Sequence, residues 1–365
     1  MEKQAKNMMS RDHDIAVFLQ EAGWGDARHG VVPRDASSRR YIRLHKGDEQ
    51  AILMDAPTAA EGVFCPKDAT DAQRRALGYT AEARLAGTNP HAFICLTTEL
   101  TRRGFSAPHI IASDTQRGLL LMEDLGEERV VETLAQNPAL EREIYMACMD
   151  TLAALYRSSF NPDMHARSSS WHVHTYDNMA LLAENQQFLN WCTRPDISPS
   201  ARQDWMSLLE DSFAHLDAHA HGLALRDFHA ENTFWLPKRA ATAKIGLIDF
   251  QDALFTHPAY DVVSLIEDLR RDVDPALATS LIERFMDQTG LEDMAGFNTA
   301  YHVLGVQRNA KILGFCQRMK HEQGKPQYER MMHRTRTHFT RDLSDPKLAG
   351  LKDWVARYAP DMVDA

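Results

Sequence analysis

Between Leu225 and Asp252 the chain reads Leu225-Arg226-Asp227-Phe228-His229-Ala230-Glu231-Asn232, then two short apolar segments around a turn, then Ile248-Asp249-Phe250-Gln251-Asp252. No other stretch constrains the fold as tightly. Thr233 to Leu236 and Lys244 to Ile248 are rich in apolar and β-forming residues, and Pro237-Lys238-Arg239 supplies the turn signal between them. Two antiparallel strands there place the loop before the first strand beside the end of the second. Asn232 and Asp249 then meet at one end of a hairpin, close enough to share a cation. Taken singly, an Asp or an Asn in a loop is a turn former. An Asp followed by an Asn, with a second Asp closing an apolar strand, supplies what phosphoryl transfer asks of a protein. Asp227 is placed to orient and deprotonate an acceptor hydroxyl. Asn232 and Asp249 suit magnesium, a hard ion that keeps several waters and needs few protein groups.

With these residues the chain resembles the aminoglycoside phosphotransferase and choline kinase superfamily, whose fold is like that of protein kinases. A narrower resemblance is to the bacterial anomeric sugar kinases that phosphorylate N-acetylmuramate and N-acetylglucosamine in cell-wall recycling. It is carried by Asp35-Ala36-Ser37-Ser38-Arg39-Arg40-Tyr41, Leu53-Met54-Asp55-Ala56-Pro57, Ile248 to Asp252 with Tyr260-Asp261-Val262-Val263-Ser264-Leu265, and Gln307-Arg308-Asn309-Ala310-Lys311-Ile312-Leu313-Gly314. The resemblance implies an α+β, protein-kinase-like two-lobed fold. Residues 1–123 form a small sheet-containing nucleotide-binding lobe, and residues 124–365 a larger, mainly helical lobe with the catalytic loop and acceptor site. It further implies a small-molecule kinase using ATP and magnesium.

Bulk properties agree with this class. The 365 residues, 44% hydrophobic, suffice for one large or two medium globular lobes. A net charge of -10 argues against general nucleic-acid binding. No apolar run reaches the length of a membrane span, and the polar start lacks the apolar core of a secretory signal, so the expected location is cytoplasmic. Cys65, Cys95, Cys148, Cys192 and Cys316 are scattered without paired ligand spacing and read as reduced thiols. No obligatory protein partner is evident.

In chain order, Asp12 to Ala22 predicts an amphipathic helix ending at Gly23, followed by strands near Val31-Val32, Tyr41 to Leu44 and Ala51 to Met54. The loop between the first two strands occupies the place of the kinase phosphate cover but contains no glycine. Ser37, Ser38, Arg39 and Arg40 are its candidate ATP contacts, through hydroxyl donors and charge. The third strand lacks the usual phosphate-binding lysine; none lies between Lys46 and Lys67. Arg39 and Arg40 are the candidates to replace it, and without them the chain would be a nucleotide-binding pseudokinase. Thr58 to Asn89 reads as a surface insertion or a lid over the nucleotide, with a helix from Ala72 to Leu85. Phe93 to Leu100 predicts a helix ending at Gly104, packed behind the sheet.

His109 to Ala112 and Gly118 to Met122 form a strand pair, the second a buried edge strand leading into a hinge. In relatives this backbone binds adenine, which makes the Glu123 carbonyl and Leu125 amide the expected contacts. Beyond the hinge, helices are expected at Leu140 to Leu155, Tyr176 to Trp191, Ser200 to Leu216 and Tyr301 to Met319, with a loop at Ser168 to Ser170. His215, His219, His221 and His229 lack the pattern of a metal site. The resemblance implies that Asp261 supports the catalytic loop. Asp252, Arg308 and Lys311 are the candidate acceptor contacts, the two cations suiting a carboxylate. The expected acceptor is a small molecule, a sugar; an aminoglycoside or a choline-like alcohol is the alternative.

Overall fold

The computed structural model describes residues 2–32, 39–57, 62–324 and 327–363, with only the backbone of residues 2–10. Helix α1 (Glu2–Glu21) precedes an antiparallel sheet of β1 (Arg28–Val31), β2 (Arg40–Lys46) and β3 (Glu49–Asp55). Strands β4 (Ile110–Asp114) and β5 (Leu119–Glu123) complete it in the order β1-β2-β3-β5-β4. The expected edge strand, β5, is therefore interior. It is buried along Leu119 to Met122, whereas β4, with Ile111 exposed, takes the edge. Alternation along the strands assigns the two faces. Ala51, Leu53, Leu119 and Leu121 pack beneath Ile15, Phe18 and Leu19 of α1. Met54, Leu120 and Met122 join the main core on the other side.

Between β3 and β4 lie α2 (Asp71–Leu77), α3 (Tyr79–Glu82) and α4 (Pro90–Arg102). The sequence predicts one helix over 72–85. Gly78, at φ 91°, splits it, a conformation that glycine adopts without a steric cost. Thr70 and Gln73 cap α2 reciprocally, and Asn89 with Pro90 starts α4. The expected α4 packs in the core, where Phe93 stacks on Phe250 with ring centroids 4.9 Å apart.

The rest is mainly helical: α5 (Val130–Gln136), α6 (Glu141–Arg157), α7 (Asn178–Trp191), α8 (Pro199–Ser212), α9 (Ala259–Ile266), α10 (Pro275–Thr289), α11 (Met294–Gln323), α12 (Gln327–Asp342) and α13 (Ala349–Tyr358). Short hairpins interrupt it. Strands β6 (Asp163–Ala166) and β7 (Ser169–His172) pair where a loop was expected; β8 (Gly222–Ala224) pairs with β11 (Leu254–Thr256), and β9 (Thr233–Trp235) with β10 (Ile245–Leu247). Among the described residues no helix is long and apolar enough to cross a membrane.

Helix α11 is the axis of this lobe, buried on several sides and packed against α7, α9 and α12. It crosses α7 at Gly314, where a Cβ would lie 2.5 Å from the backbone carbon of Gln187 and the backbone nitrogen of Phe188. Backbone on the facing side has no rotamer with which to yield. Gly314→Ala is expected to cost about 3 kcal/mol as the two helices are forced apart. Urea unfolding checks this: the midpoint falls with an unchanged slope, whereas a wild-type midpoint contradicts the crossing.

Candidate active site

The β8 strand delivers the chain into the loop Leu225 to Asn232, and Asp261 in the first turn of α9 holds that loop. Its carboxylate accepts from the backbone N–H groups of Leu225, at 2.6 Å, and Arg226, at 3.0 Å. Arg226 adopts φ 75° and is 2% exposed. A non-glycine residue in this left-handed region stores strain of about 1–3 kcal/mol, so surrounding contacts must impose it. The guanidinium supplies one such contact, by donating to Glu184 of α7. Glu184 also accepts from Tyr176, from Lys311 at 2.7 Å and from Gln307 at 3.2 Å. Burial alone would raise its carboxyl; Arg226 and Lys311 reverse that and push it down to about 2.

Asp227 follows directly. Burial tends to raise its carboxyl, but Lys311, His229, Arg308 and Arg226 outweigh it and hold the group below the ordinary value. That direction favours the charged carboxylate, the form a proton acceptor needs. Arg308 lies buried on α11, donating to the Ser264 hydroxyl at 2.9 Å.

The β9–β10 hairpin pairs Thr233 with Leu247, which brings the loop before it beside the residues after it. The Asn232 side-chain amide donates to the Asp227 carbonyl at 3.1 Å and to Asp249 Oδ2 at 3.3 Å. Asp249 itself sits at φ 58°, the second strained residue of the site. Its Oδ1 accepts from Arg39 at 3.2 Å and Gln251 at 2.9 Å. Burial raises the Asp249 carboxyl; Arg39 opposes this, while the like charges of Asp227 and Asp252 add to it. These residues fit a magnesium ion. The donors are hard oxygens, and a cation would relieve the crowding of carboxylates that keeps Asp249 raised. No group of three or more His, Cys, Asp or Glu among the described residues could hold a metal by itself. Asn232 and Asp249 would therefore share the ion with water and phosphate oxygens.

Arg39 and Arg40 diverge. Arg39 is buried and donates also to the Gly87 carbonyl at 2.9 Å. Arg40 pairs instead with Asp55, its cross-strand neighbour, at 3.0 Å, and with Asp12 of α1 at 3.8 Å. Only Arg39 joins the carboxylate cluster, where Tyr41, Asp249 and Asp252 together outweigh burial and raise its pKa. Ser37 and Ser38 lie outside the described residues. Glu123 ends β5, its side chain accepting from Arg239 at 2.5 Å, and Leu125 is buried just beyond it. Asp252 does not point freely toward an acceptor: Oδ1 accepts from the Ala86 N–H at 2.6 Å, and Oδ2 from Gln251 at 3.3 Å. Of His215, His219, His221 and His229, His229 lies in the loop Leu225 to Asn232, its ring pushed down to about 4 by burial, and His219 contacts His257 at 3.0 Å.

Two residues that build the candidate site were not legible in the sequence. Gln251 bridges Asp249 and Asp252. Glu184 carried a usable signal, for it shares a helix face with the buried Leu181 and Phe188. A carboxylate on such a face needs a buried cation. Glu184→Gln leaves Arg226 and Lys311 without their counter-charge and is expected to cost about 3–5 kcal/mol. The sign with pH follows from the lowered carboxyl. This stabilisation is present above the unfolded value of 4.5 and is lost as pH falls through it toward about 2. Urea melts across that range should show the wild type losing its advantage over the variant, and a constant difference would contradict the ion pairing.

Comparison with known proteins places this geometry. Residues 30–297 match the model of the "Phosphotransferase enzyme family". The chain is 37% identical over 353 residues to an N-acetylmuramate/N-acetylglucosamine kinase of Caulobacter vibrioides, covering 96% of this chain and 97% of that protein. The fold is similar to a putative aminoglycoside phosphotransferase of Ralstonia eutropha, at 13% identity and a TM-score of 0.58, covering 95% of this chain and 98% of that one. It is also similar to a GDP complex of an aminoglycoside 2'-phosphotransferase, at 13% identity and a TM-score of 0.57, covering 91% and 99%. Kinase-like in fold and carrying an Asp beside an Asn–Asp pair, this chain belongs to the phosphotransferase enzyme family.

Proposed function

We propose that this protein is an ATP- and magnesium-dependent kinase of an amino sugar, phosphorylating the anomeric hydroxyl of N-acetylmuramate or N-acetylglucosamine. The site supports the reaction type, and the observation that carries it is the Asn232 amide, which donates to the Asp227 carbonyl at 3.1 Å and to Asp249 Oδ2 at 3.3 Å and so sets the three residues side by side. The near full-length likeness to the Caulobacter kinase supports the acceptor, and the GDP complex of a structural neighbour supports nucleotide use. Residues 1–123 serve as the nucleotide lobe and 124–365 as the acceptor lobe. The Glu123 carbonyl and Leu125 amide take the adenine. Supply of ATP places the reaction in the cytoplasm.

Asp227 accepts the proton of the acceptor hydroxyl as its oxygen bonds to the γ-phosphorus and the bond to the ADP oxygen breaks. Direct in-line transfer needs no phosphoenzyme, so positioning and charge supply most of the catalysis. Magnesium bound at Asn232 and Asp249 would neutralise charge developing on the phosphates. Arg39 takes the place of the absent lysine, held for that purpose by Gly87 and Asp249.

Magnesium-dependent ADP release, measured with N-acetylmuramate, N-acetylglucosamine, choline and kanamycin, tests the proposal. Turnover is expected on the amino sugars, and Asp227→Asn should lower kcat by about 10²–10⁴ while ATP binding persists. No phosphorylation of either amino sugar would overturn the acceptor assignment. Arg39→Ala should raise the KM for ATP about ten- to a hundredfold, the worth of one charged hydrogen bond. Arg40→Ala should leave that KM near the wild-type value. An equal effect of the two substitutions would contradict the assignment of Arg39.

A further inference from the structure

The turn that follows β10 holds Asp249 through a neighbour that carries no charge. The Ala253 N–H donates to the Phe250 carbonyl at 3.0 Å to close the turn, and the buried Phe250 ring fastens it by stacking on Phe93. Gln251 and Asp252 are its two central residues. Gln251 is buried, and its side-chain nitrogen donates to Asp249 Oδ1 at 2.9 Å and to Asp252 Oδ2 at 3.3 Å. The two acceptors decide which end of the amide faces them. Turned over, it would set its own oxygen against two carboxylates.

Asp252 is anchored from outside the turn, its Oδ1 accepting from the Ala86 N–H at 2.6 Å. The Gly87 carbonyl, next along the chain, accepts from Arg39 at 2.9 Å, and Arg39 donates to Asp249 Oδ1 at 3.2 Å. A closed ring results, running from Asp249 through Gln251, Asp252, Ala86 and Gly87 to Arg39 and back. Within it the Gln251 amide is the link between the two carboxylates. That place calls for an amide. A lysine or arginine would cancel the charge that draws a divalent cation, a further carboxylate would add to the repulsion, and an apolar chain would tie nothing. An amide offers two N–H donors and no charge, so it joins two acids and leaves their charge intact.

We propose that Gln251 is a positioning residue for the divalent cation, setting the Asp249 carboxylate against Asp252, and that Asp252 serves as its anchor and not as an acceptor contact. This rests on the metal-dependent phosphotransfer reading above and deepens it. Groups that hold a metal-binding carboxylate from behind govern affinity although they never touch the metal. Because Asp252 is tied to Ala86, the same link carries the position of the segment before α4 to Asp249.

Mn2+ is the probe, its electron paramagnetic resonance spectrum followed in ADP-saturated wild type, Gln251→Met and Gln251→Asn. Met is unbranched and fills such a place without the two donors. Asn keeps the amide on a chain one methylene shorter, and so decides the matter should Gln251→Met not fold. Gln251→Met should weaken Mn2+ binding about tenfold to a hundredfold, the loss usual when a group supporting a metal ligand is removed. Gln251→Asn should fall between it and the wild type. ADP binding measured without metal should hold in both, whereas a general loss of structure would lower it. In an Asp252→Ala background Gln251→Met should cost less Mn2+ affinity than in the wild type, the anchor being already gone. Wild-type Mn2+ affinity in either folded Gln251 variant overturns the inference alone. So does a parallel loss of metal-free ADP binding, or an equal cost of Gln251→Met with and without Asp252. Absence of a bound Mn2+ signal in the ADP-saturated wild type overturns the functional reading and this inference with it.

Discussion

The contact between Arg39 and Asp249 joins residues 210 positions apart in sequence, and the site is assembled around it. From just before β2 comes Arg39, from the segment before α4 the Gly87 carbonyl that steadies it, and from the two flanks of the β9–β10 hairpin Asn232 and Gln251 on the same carboxylate. Asp252 closes the circle through Gln251 and Ala86. Charge explains why this convergence is needed. Asp227 and Asp252 both act on Asp249 in a partly buried place, and like charges so placed disfavour its ionisation. One guanidinium reduces that repulsion without cancelling it. The same deficit that keeps the Asp249 carboxyl raised makes the place attractive to a divalent cation and to the phosphates it carries.

A second set of buried charges supports the first from below. Glu184 binds Arg226 and Lys311, and Arg226 must enter the left-handed region to reach it. The strain at Arg226 and Asp249 falls on either side of the hairpin; Asp261 accepts from the Arg226 N–H, and Asn232 and Gln251 donate to Asp249. Asp261 shows the balance involved: burial pushes its carboxyl up to about 7, against the two backbone N–H groups that favour the charged form. Such an arrangement is stable only when every member is present, which is why one neutralised carboxylate at Glu184 is costly.

Much of this was legible in the sequence where a local rule and a long-range consequence coincide. The meeting of Asn232 and Asp249 was readable because the hairpin between them pairs Thr233 with Leu247. Strands β3 and β5 were readable because both faces are buried in alternation. Legibility failed where tertiary contacts decided. A glycine divided α2 from α3, and Ser169 to His172 became a strand because β6 pairs with it. Arg39 and Arg40 are adjacent and chemically identical; only the pleat of β2 and the position of Asp55 send one inward and the other outward. Nothing local to Asp252 reveals that the distant Ala86 N–H donates to it.

Titration of ATP into the wild type and Asp249→Asn, each with and without magnesium, tests most directly whether Asp249 organises the site as a cation-binding hub. In the wild type magnesium should tighten ATP binding. In Asp249→Asn that magnesium effect should vanish, while metal-free ATP binds at least as well, a charge having been removed beside Arg39. A magnesium effect of the same size in both proteins would contradict the account.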